Sequence, residues 1–253
     1  MDLAQTQTGY LLIDKPHGIT SHDVVDRLRK ILGVKKIGHA GTLDPLATGL
    51  LIVLVGRSAT KLSDQLRGLD KDYEVSMLIG VSHDSLDIDG EETERITADD
   101  TRLDIDRRTI EDVLQGLVGT YEQEVPMFSA VKIAGKKLYE HGRHERRTGD
   151  TTTIHLPTRN VTISNCELIS LHKNDDGYPV VSFKTSVSSG TYTRALVRDI
   201  GKKLNVPVTQ CSLRRTRIGE FIVDDTVTLD EATKDDIIPL SRLNGILGLG
   251  AIV

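Results

Sequence analysis

Residues Ile37 to Val55 read IGHAGTLDPLATGLLIVLV. Three glycines (Gly38, Gly41, Gly49), His39 and the pair Asp44-Pro45 make a short turn-rich loop, and six aliphatic residues, Leu50 to Val55, follow without a break. A run of that kind reads as a strand buried on both faces. The loop is therefore anchored to a core while its polar atoms can face a ligand, which is where binding and catalytic groups concentrate. Asp44 is the only carboxylate in the stretch. An Asp before Pro commonly starts a turn and caps backbone N–H groups. Taken alone, these residues leave both readings of Asp44 open.

Working outward, 253 residues with 38% hydrophobic content can bury a substantial core in one large domain or two modest ones. The N-terminus MDLAQTQTGYLLIDKP has no basic segment followed by a long apolar one. No apolar run approaches the roughly 20 residues of a membrane span. A soluble cytoplasmic protein without membrane contact is expected. Cys166 and Cys211 form no CxxC pattern and no cluster with the eight histidines, so neither a metal site nor a disulfide framework is expected. The net charge of −5 argues against a generic nucleic-acid coat, but it hides an asymmetry. Ten acids between Asp84 and Asp106 face only Arg95 and Arg102. Bases gather in Lys132, Lys136, Lys137, Arg143, Arg146 and Arg147, and again in Arg194, Arg198, Lys202, Lys203, Arg214, Arg215 and Arg217. Each cluster reads as a solvated face or, beside the loop, as a set of phosphate contacts.

Along the chain, GYLLIDKP (Gly9–Pro16) reads as a strand ending in a turn, and Thr20 with Asp23 as a capping box for a helix closed by Gly33. Ser58–Leu66 is expected to be a short helix. In KDYEVSMLIG, Tyr73, Val75, Met77 and Ile79 alternate onto one buried face. A helix is expected from Thr109, with Ile110, Val113, Leu114, Leu117 and Val118 as its apolar stripe and Gly119 as its end. Arg159–Leu168 and Val180–Val187 read as strands joined by a turn at Asn174–Gly177, and Gly190-Thr191 as the opening of a helix with Ala195, Leu196, Ile200 and Leu204 inside. Arg194 falls in its first turn. A cation gains nothing there from the helix dipole, so a carboxylate or phosphate partner is expected. These patterns establish an α+β class.

Several ordered motifs extend the reading. GHAGTLDPLATG (Gly38–Gly49) closely resembles the catalytic loop of the TruB-type tRNA pseudouridine synthases. GVSHDSLDIDG resembles that family's Gly-x-x-Thr-Asp-Thr-x-Asp-x-x-Gly segment, with His83 and Ser85 at the threonine positions. QEVPMFSAVKIAGKKLY resembles its Gln-x-Pro-Pro-x-Tyr-Ser-Ala-x-Lys block, with Val125 for the first proline and Phe128 for the tyrosine. Gly190, Thr191, Tyr192 and Arg194 match its Gly-Thr-Tyr-x-Arg motif, and LRRTRIGEF, from Leu213, its last motif beside the uracil pocket.

The resemblance covers roughly residues 9–243. It implies a pseudouridine synthase fold, a mixed and largely antiparallel central sheet flanked by helices, with RNA lying across a cleft. It makes Asp44 the nucleophile, Tyr73 the residue that stacks on the base and helps remove the C5 proton, and Arg194 the partner of Asp44. His39 is the group that fills the place of the flipped base, although by residue type it equally suits a histidine bonded to its own loop. Lys15, Tyr192, Leu213, Lys132 and Arg143 complete the substrate and RNA contacts. Residues 1–243 are then a catalytic domain containing an acidic loop (82–106) and a basic insert (123–158). Residues 244–253 are a short tail, without the PUA-type domain of many bacterial members.

The implied reaction is an isomerisation, an intramolecular transfer of uracil on the T-loop uridine at tRNA position 55. It needs no cofactor, in agreement with the absence of a Walker loop or a strand–GxGxxG–helix fingerprint. The expected partner is the tRNA T-arm, met by a monomer that needs no protein partner. A synthase acting on another RNA uridine and an RNA-folding chaperone are the competing readings.

Overall fold

A computed structural model describes residues 8–133, 135–148 and 155–247. The chain opens with strand β1 (Gly9–Lys15), helix α1 (Ser21–Leu32) and strands β2 (Ile37–Ala40) and β3 (Thr48–Val55). Two short helices, α2 (Arg57–Thr60) and α3 (Ser63–Arg67), lead to β4 (Lys71–Ile79). The strands β5 (Val81–His83) and β6 (Glu92–Arg95), helix α4 (Arg107–Gln115) and β7 (Gly119–Glu124) come next. Two-residue strands β8 (Lys132–Ile133) and β9 (Lys136–Lys137) precede α5 (Leu138–Thr148). Then follow β10 (Thr158–Lys173), β11 (Pro179–Val187), α6 (Thr193–Leu204) and β12 (Val208–Ile218). Short strands β13 (Phe221–Ile222), β14 (Val227–Thr228) and β15 (Ile238–Pro239) and helix α7 (Leu240–Ile246) close the described chain. The described residues divide into two compact units, one within Met1–Glu74 and Leu213–Val253, the other within Val75–Ser212.

In the first unit the strand order is β14-β1-β3-β12, with β2 also paired to β3. β1 and β2 run antiparallel to β3, and the residues of β12 in this unit run parallel to it. β3 shows why an unbroken aliphatic run suits this place. Leu51, Val53 and Val55 enter a core with Val24, Val25, Leu28 and Leu32 of α1, while Leu50, Ile52 and Leu54 enter another with Ala59, Leu62 and Leu66. All six are wholly buried, and burial of each such side chain stabilises the fold by about 1.5–3 kcal/mol. α1 begins as its sequence indicates: Thr20 Oγ1 accepts from Asp23 N, Thr20 N donates back to the Asp23 carboxylate, and Gly33 takes the left-handed conformation (φ 66°) that stops the helix.

In the second unit the order is β4-β11-β10-β7, with β11 and β7 antiparallel to β10. Val75, Met77 and Ile79 alternate inward as expected, and α4 packs Ile110 and Leu114 on β10. That helix departs from the sequence pattern at both ends. It starts at Arg107 because Asp106 caps it by accepting from Thr109 N at 2.7 Å, and it stops at Gly116, leaving Val118 exposed. The expected Ser58–Leu66 helix is two short helices, and α6 starts at Thr193 with Tyr192 as its N-cap. The acidic stretch is in part the β5–β6 hairpin. No described helix is long and apolar enough to cross a membrane.

Candidate active site

The loop around Asp44 is fixed by its neighbours in the first unit at four points. At Leu43, the buried Ser21 hydroxyl accepts from the backbone N at 2.9 Å and donates to the O at 3.1 Å. At Pro45, the carbonyl accepts from Gly18 N at 2.9 Å and from Lys15 Nζ at 3.3 Å. Asp44 itself closes a turn through Ala47 N, which donates to its carbonyl at 3.0 Å. At Gly41, the carbonyl accepts from Arg215 Nη2 at 3.1 Å, and Arg215 Nε donates to Leu50 O at 2.8 Å on the far side of the loop. One guanidinium thus ties together the entry and exit of the loop. Gly49 makes this approach possible: with φ 95° it lies against the Arg215 backbone, where an added Cβ would stand 2.3 Å from the carbonyl oxygen.

The result is a half-buried Asp44 carboxylate among buried cations. Lys15 is wholly inaccessible; burial pushes its ammonium down to about 8, against the pull of the Asp44 carboxylate and with the push of Arg215. Lys71, also buried, is lowered to about 8 by burial and then by Arg215; its Nζ donates to Arg67 O at 2.9 Å. Tyr73, buried on β4, interacts electrostatically with Arg215. Fixed cations of this kind hold the loop where negative charge develops. Of the expected site residues, Asp44, Lys15, Tyr73, His39 and Leu213 belong to this unit. His39 sits on β2 with its Nδ1 buried and, among the described residues, unpartnered; burial, then Arg215, lowers its pKa. Leu213 is buried, its carbonyl accepting from Thr48 Oγ1 at 3.5 Å.

Arg194, Tyr192 and Lys132 belong to the second unit. Arg194 is no surface cation: only 6% exposed, it donates to Ser85 O at 2.8 Å and Phe128 O at 2.9 Å, and its Nε lies 3.5 Å from the Asp87 carboxylate. Ser85 Oγ donates to the same carboxylate at 2.6 Å, so serine at the family's threonine position keeps a hydroxyl there. Tyr192 is held through its backbone by the Gln123 amide, which accepts from Tyr192 N at 2.9 Å and donates to its O at 3.2 Å; the Arg159 guanidinium lies over its ring. Lys132 is exposed on the β8–β9 hairpin, and beside it Lys136, Tyr139, His141, His144 and Arg147 line one groove. The side chain of Arg143 lies outside the described residues.

Three sequence expectations change. Lys15, expected as a substrate contact, is internal and holds the loop instead, because its ammonium is used on the Pro16 and Pro45 carbonyls. The arginines of the second basic cluster are engaged within the protein, while Lys202 and Lys203 stay exposed. Arg214 forks onto Asp14, Arg217 onto Asp72, and Arg198 bonds Glu124 and Asp199. Arg215 is the buried hub of the loop, a role hidden by counting it with its neighbours. Its period-two relation to Leu213 was the signal that it points inward. Among the described residues no group of three or more His, Cys, Asp or Glu side chains could hold a metal ion.

Comparison with known proteins identifies the family. Residues 29–193 match the TruB family pseudouridylate synthase N-terminal domain. The tRNA pseudouridine synthase B of Caldicellulosiruptor saccharolyticus is 41% identical over 235 residues, 93% of this chain and 76% of that protein. The protein of the same name from Thermobifida fusca is 40% identical over 238 residues, 92% of this chain and 78% of its own. Among solved structures, a chain of a Cbf5–Nop10–Gar1 complex superposes with a TM-score of 0.65 at 28% identity, covering 89% of this chain. A chain of an H/ACA RNP bound to a substrate RNA containing 2'-deoxyuridine gives 0.62 at 26% identity over the same share. This chain spans about half the length of those two, 54% and 52%. The α+β architecture with its mostly antiparallel sheet is that of the pseudouridine synthases, and the chain belongs to the TruB family of pseudouridylate synthases.

Proposed function

We propose that this protein is a tRNA pseudouridine synthase that isomerises the T-loop uridine at tRNA position 55, with Asp44 as its nucleophile. The observation that carries the reading is the Asp44 loop itself, bonded at Leu43, Pro45 and Gly41 and set beside buried cations. Preorganised groups of this kind need no rearrangement as charge develops on a breaking bond. The reaction breaks the C–N glycosidic bond, rejoins the uracil through C5 and moves the C5 proton, with no redox change, so no cofactor is required.

A paired or stacked uridine must first be extruded, at a cost of a few kcal/mol that protein contacts offset. His39 takes the vacated place in this reading, and its lowered pKa favours the neutral ring that stacks without a charge to desolvate. Tyr73, beside Arg215, meets the extruded base and assists removal of the C5 proton. By its place in the family's Gly-Thr-Tyr-x-Arg motif Arg194 serves as the partner of the catalytic carboxylate during the reaction, and in the resting protein it is held by Asp87. Leu213 and Tyr192 line the base pocket, and Lys132, Arg143 and the α5 groove meet the phosphates of the T-arm. In this reading residues 1–243 form the catalytic domain, working as a cytoplasmic monomer without a protein partner.

The test is tritium release from C5-labelled uridine in an unmodified tRNA transcript, with the modified position mapped. Wild type should release tritium from the T-loop site and Asp44→Asn should release none. Release from a different uridine would keep the chemistry and move the target. Tight binding without release by wild type would favour a folding chaperone.

A further inference from the structure

One wholly buried side chain of the second unit is unused by the chemistry above. Gln210 is inaccessible to solvent, yet among the described residues neither its Oε1 nor its Nε2 has a hydrogen-bond partner. A buried amide left unpaired is destabilising, whereas leucine or methionine would fill a similar volume without that penalty. The backbone fixes where the amide points. Gln210 N donates to Leu86 O at 3.0 Å and Ile88 N donates to Gln210 O at 3.1 Å, so Gln210 stands opposite Asp87 in a parallel bridge. Residues directly opposite in a ladder present their side chains on one face, and so do residues two apart in a strand. Gln210 therefore shares a face with Asp87, and also with Val208, which packs against Gly201 of α6. Arg194 stands in the first turn of that same helix, with its Nε 3.5 Å from the Asp87 carboxylate. Leu86, next to Asp87, holds a left-handed backbone (φ 66°), a strained conformation for a residue with a side chain and one that gathers at functional sites.

The unmade bonds of Gln210 match this pair in kind. Nε2 can donate to a carboxylate, and Oε1 can accept from a guanidinium. The Asp87–Arg194 contact is long for a charge-assisted bond, while Arg194 Nη1 and Nη2 are engaged at 2.8 and 2.9 Å by the Ser85 and Phe128 carbonyls. Resting on the synthase reading and its role for Arg194, we propose that Gln210 is a positioning residue for that arginine. Its Nε2 takes the Asp87 carboxylate when Arg194 turns away from it to the bound uridine. The buried Asp87 carboxylate, held also by Ser85 Oγ at 2.6 Å, then gains a donor in place of the departing guanidinium, which lowers the cost of breaking a buried ion pair.

Gln210→Leu tests this, since it keeps the volume and removes both polar atoms. The melting temperature should match or exceed that of wild type, tRNA affinity should be unchanged, and single-turnover pseudouridine formation should fall about tenfold, a loss in kcat and not in KM. In an Asp87→Asn background the same change should cost nothing further. Gln210→Glu, which gives Arg194 a second anion to hold, should be at least as slow. Wild-type rates in either single variant overturn the proposal. So does a Gln210→Leu protein whose melting temperature falls while its rate is kept, which would make the amide a packing or hydration group. Failure of the synthase reading is distinguishable, because wild type itself would then form no pseudouridine.

Discussion

Ser21→Ala should loosen the catalytic loop from beneath. The Ser21 hydroxyl is 1% exposed and makes two bonds to a single buried residue, accepting from Leu43 N at 2.9 Å and donating to Leu43 O at 3.1 Å. Alanine removes both and leaves a buried N–H and a buried C=O unpaired. Each such group costs about 1–3 kcal/mol, and partial relaxation of the loop brings the expected loss to roughly 2–4 kcal/mol. For a chain of this size 1 kcal/mol moves the melting temperature by about 2–4 °C, so a fall of roughly 5–15 °C is expected. Because Leu43 precedes Asp44, the rate should fall too. Displacing a reacting group by about 1 Å costs about 100-fold, so a decrease of about 10- to 100-fold in single-turnover tritium release is expected. Thr20→Ala is the control. It removes the N-cap of the same helix, costs about 1 kcal/mol, touches no part of the loop and should leave the rate unchanged. If Ser21→Ala lost no more stability than Thr20→Ala and kept its rate, the claim that Ser21 holds the loop would be refuted.

Two further outcomes follow from the same unit. Gly49→Ala would put a Cβ 2.3 Å from the Arg215 carbonyl oxygen at a φ of 95°, and should destabilise the protein by at least ~3 kcal/mol in denaturant unfolding; a loss below ~1 kcal/mol would mean that β3 and β12 do not approach this closely. Lys15 has a folded pKa of about 8 against 10.5 for the free side chain. Between those values the unfolded chain holds a proton that the folded protein has lost, so stability rises with pH through this window. Lys15→Met should flatten that rise by up to one proton's worth, read by urea unfolding at pH 8 and pH 9.5, and an identical slope in the two proteins would show that Lys15 stays charged when buried. Activity should fall over the same window, as the cation beside Asp44 is lost.

Local rules that need only a few neighbouring residues were readable in the chain. The unbroken aliphatic run of β3, the Thr20–Asp23 capping box, the inward alternation of Val75, Met77 and Ile79, and the Asp44 loop all carry their signal within a dozen residues. Burial period, capping and turn chemistry are short-range. What the tertiary structure decided was how each charge is used. Nothing local separates Arg215, wholly buried and bonded to Gly41 and Leu50, from Arg214, which pairs with Asp14, since their partners are brought close by the fold. Lys15, a substrate contact by the family resemblance, is enclosed because β1 carries it beneath the Pro45 carbonyl. Asp87 is one acid among ten in sequence and the Arg194 partner in space, and Gln210 has meaning only because a bridge sets it opposite Asp87. A charge's role is set by how far it is removed from water and by what remains within a few ångströms of it, and both are properties of the packed chain.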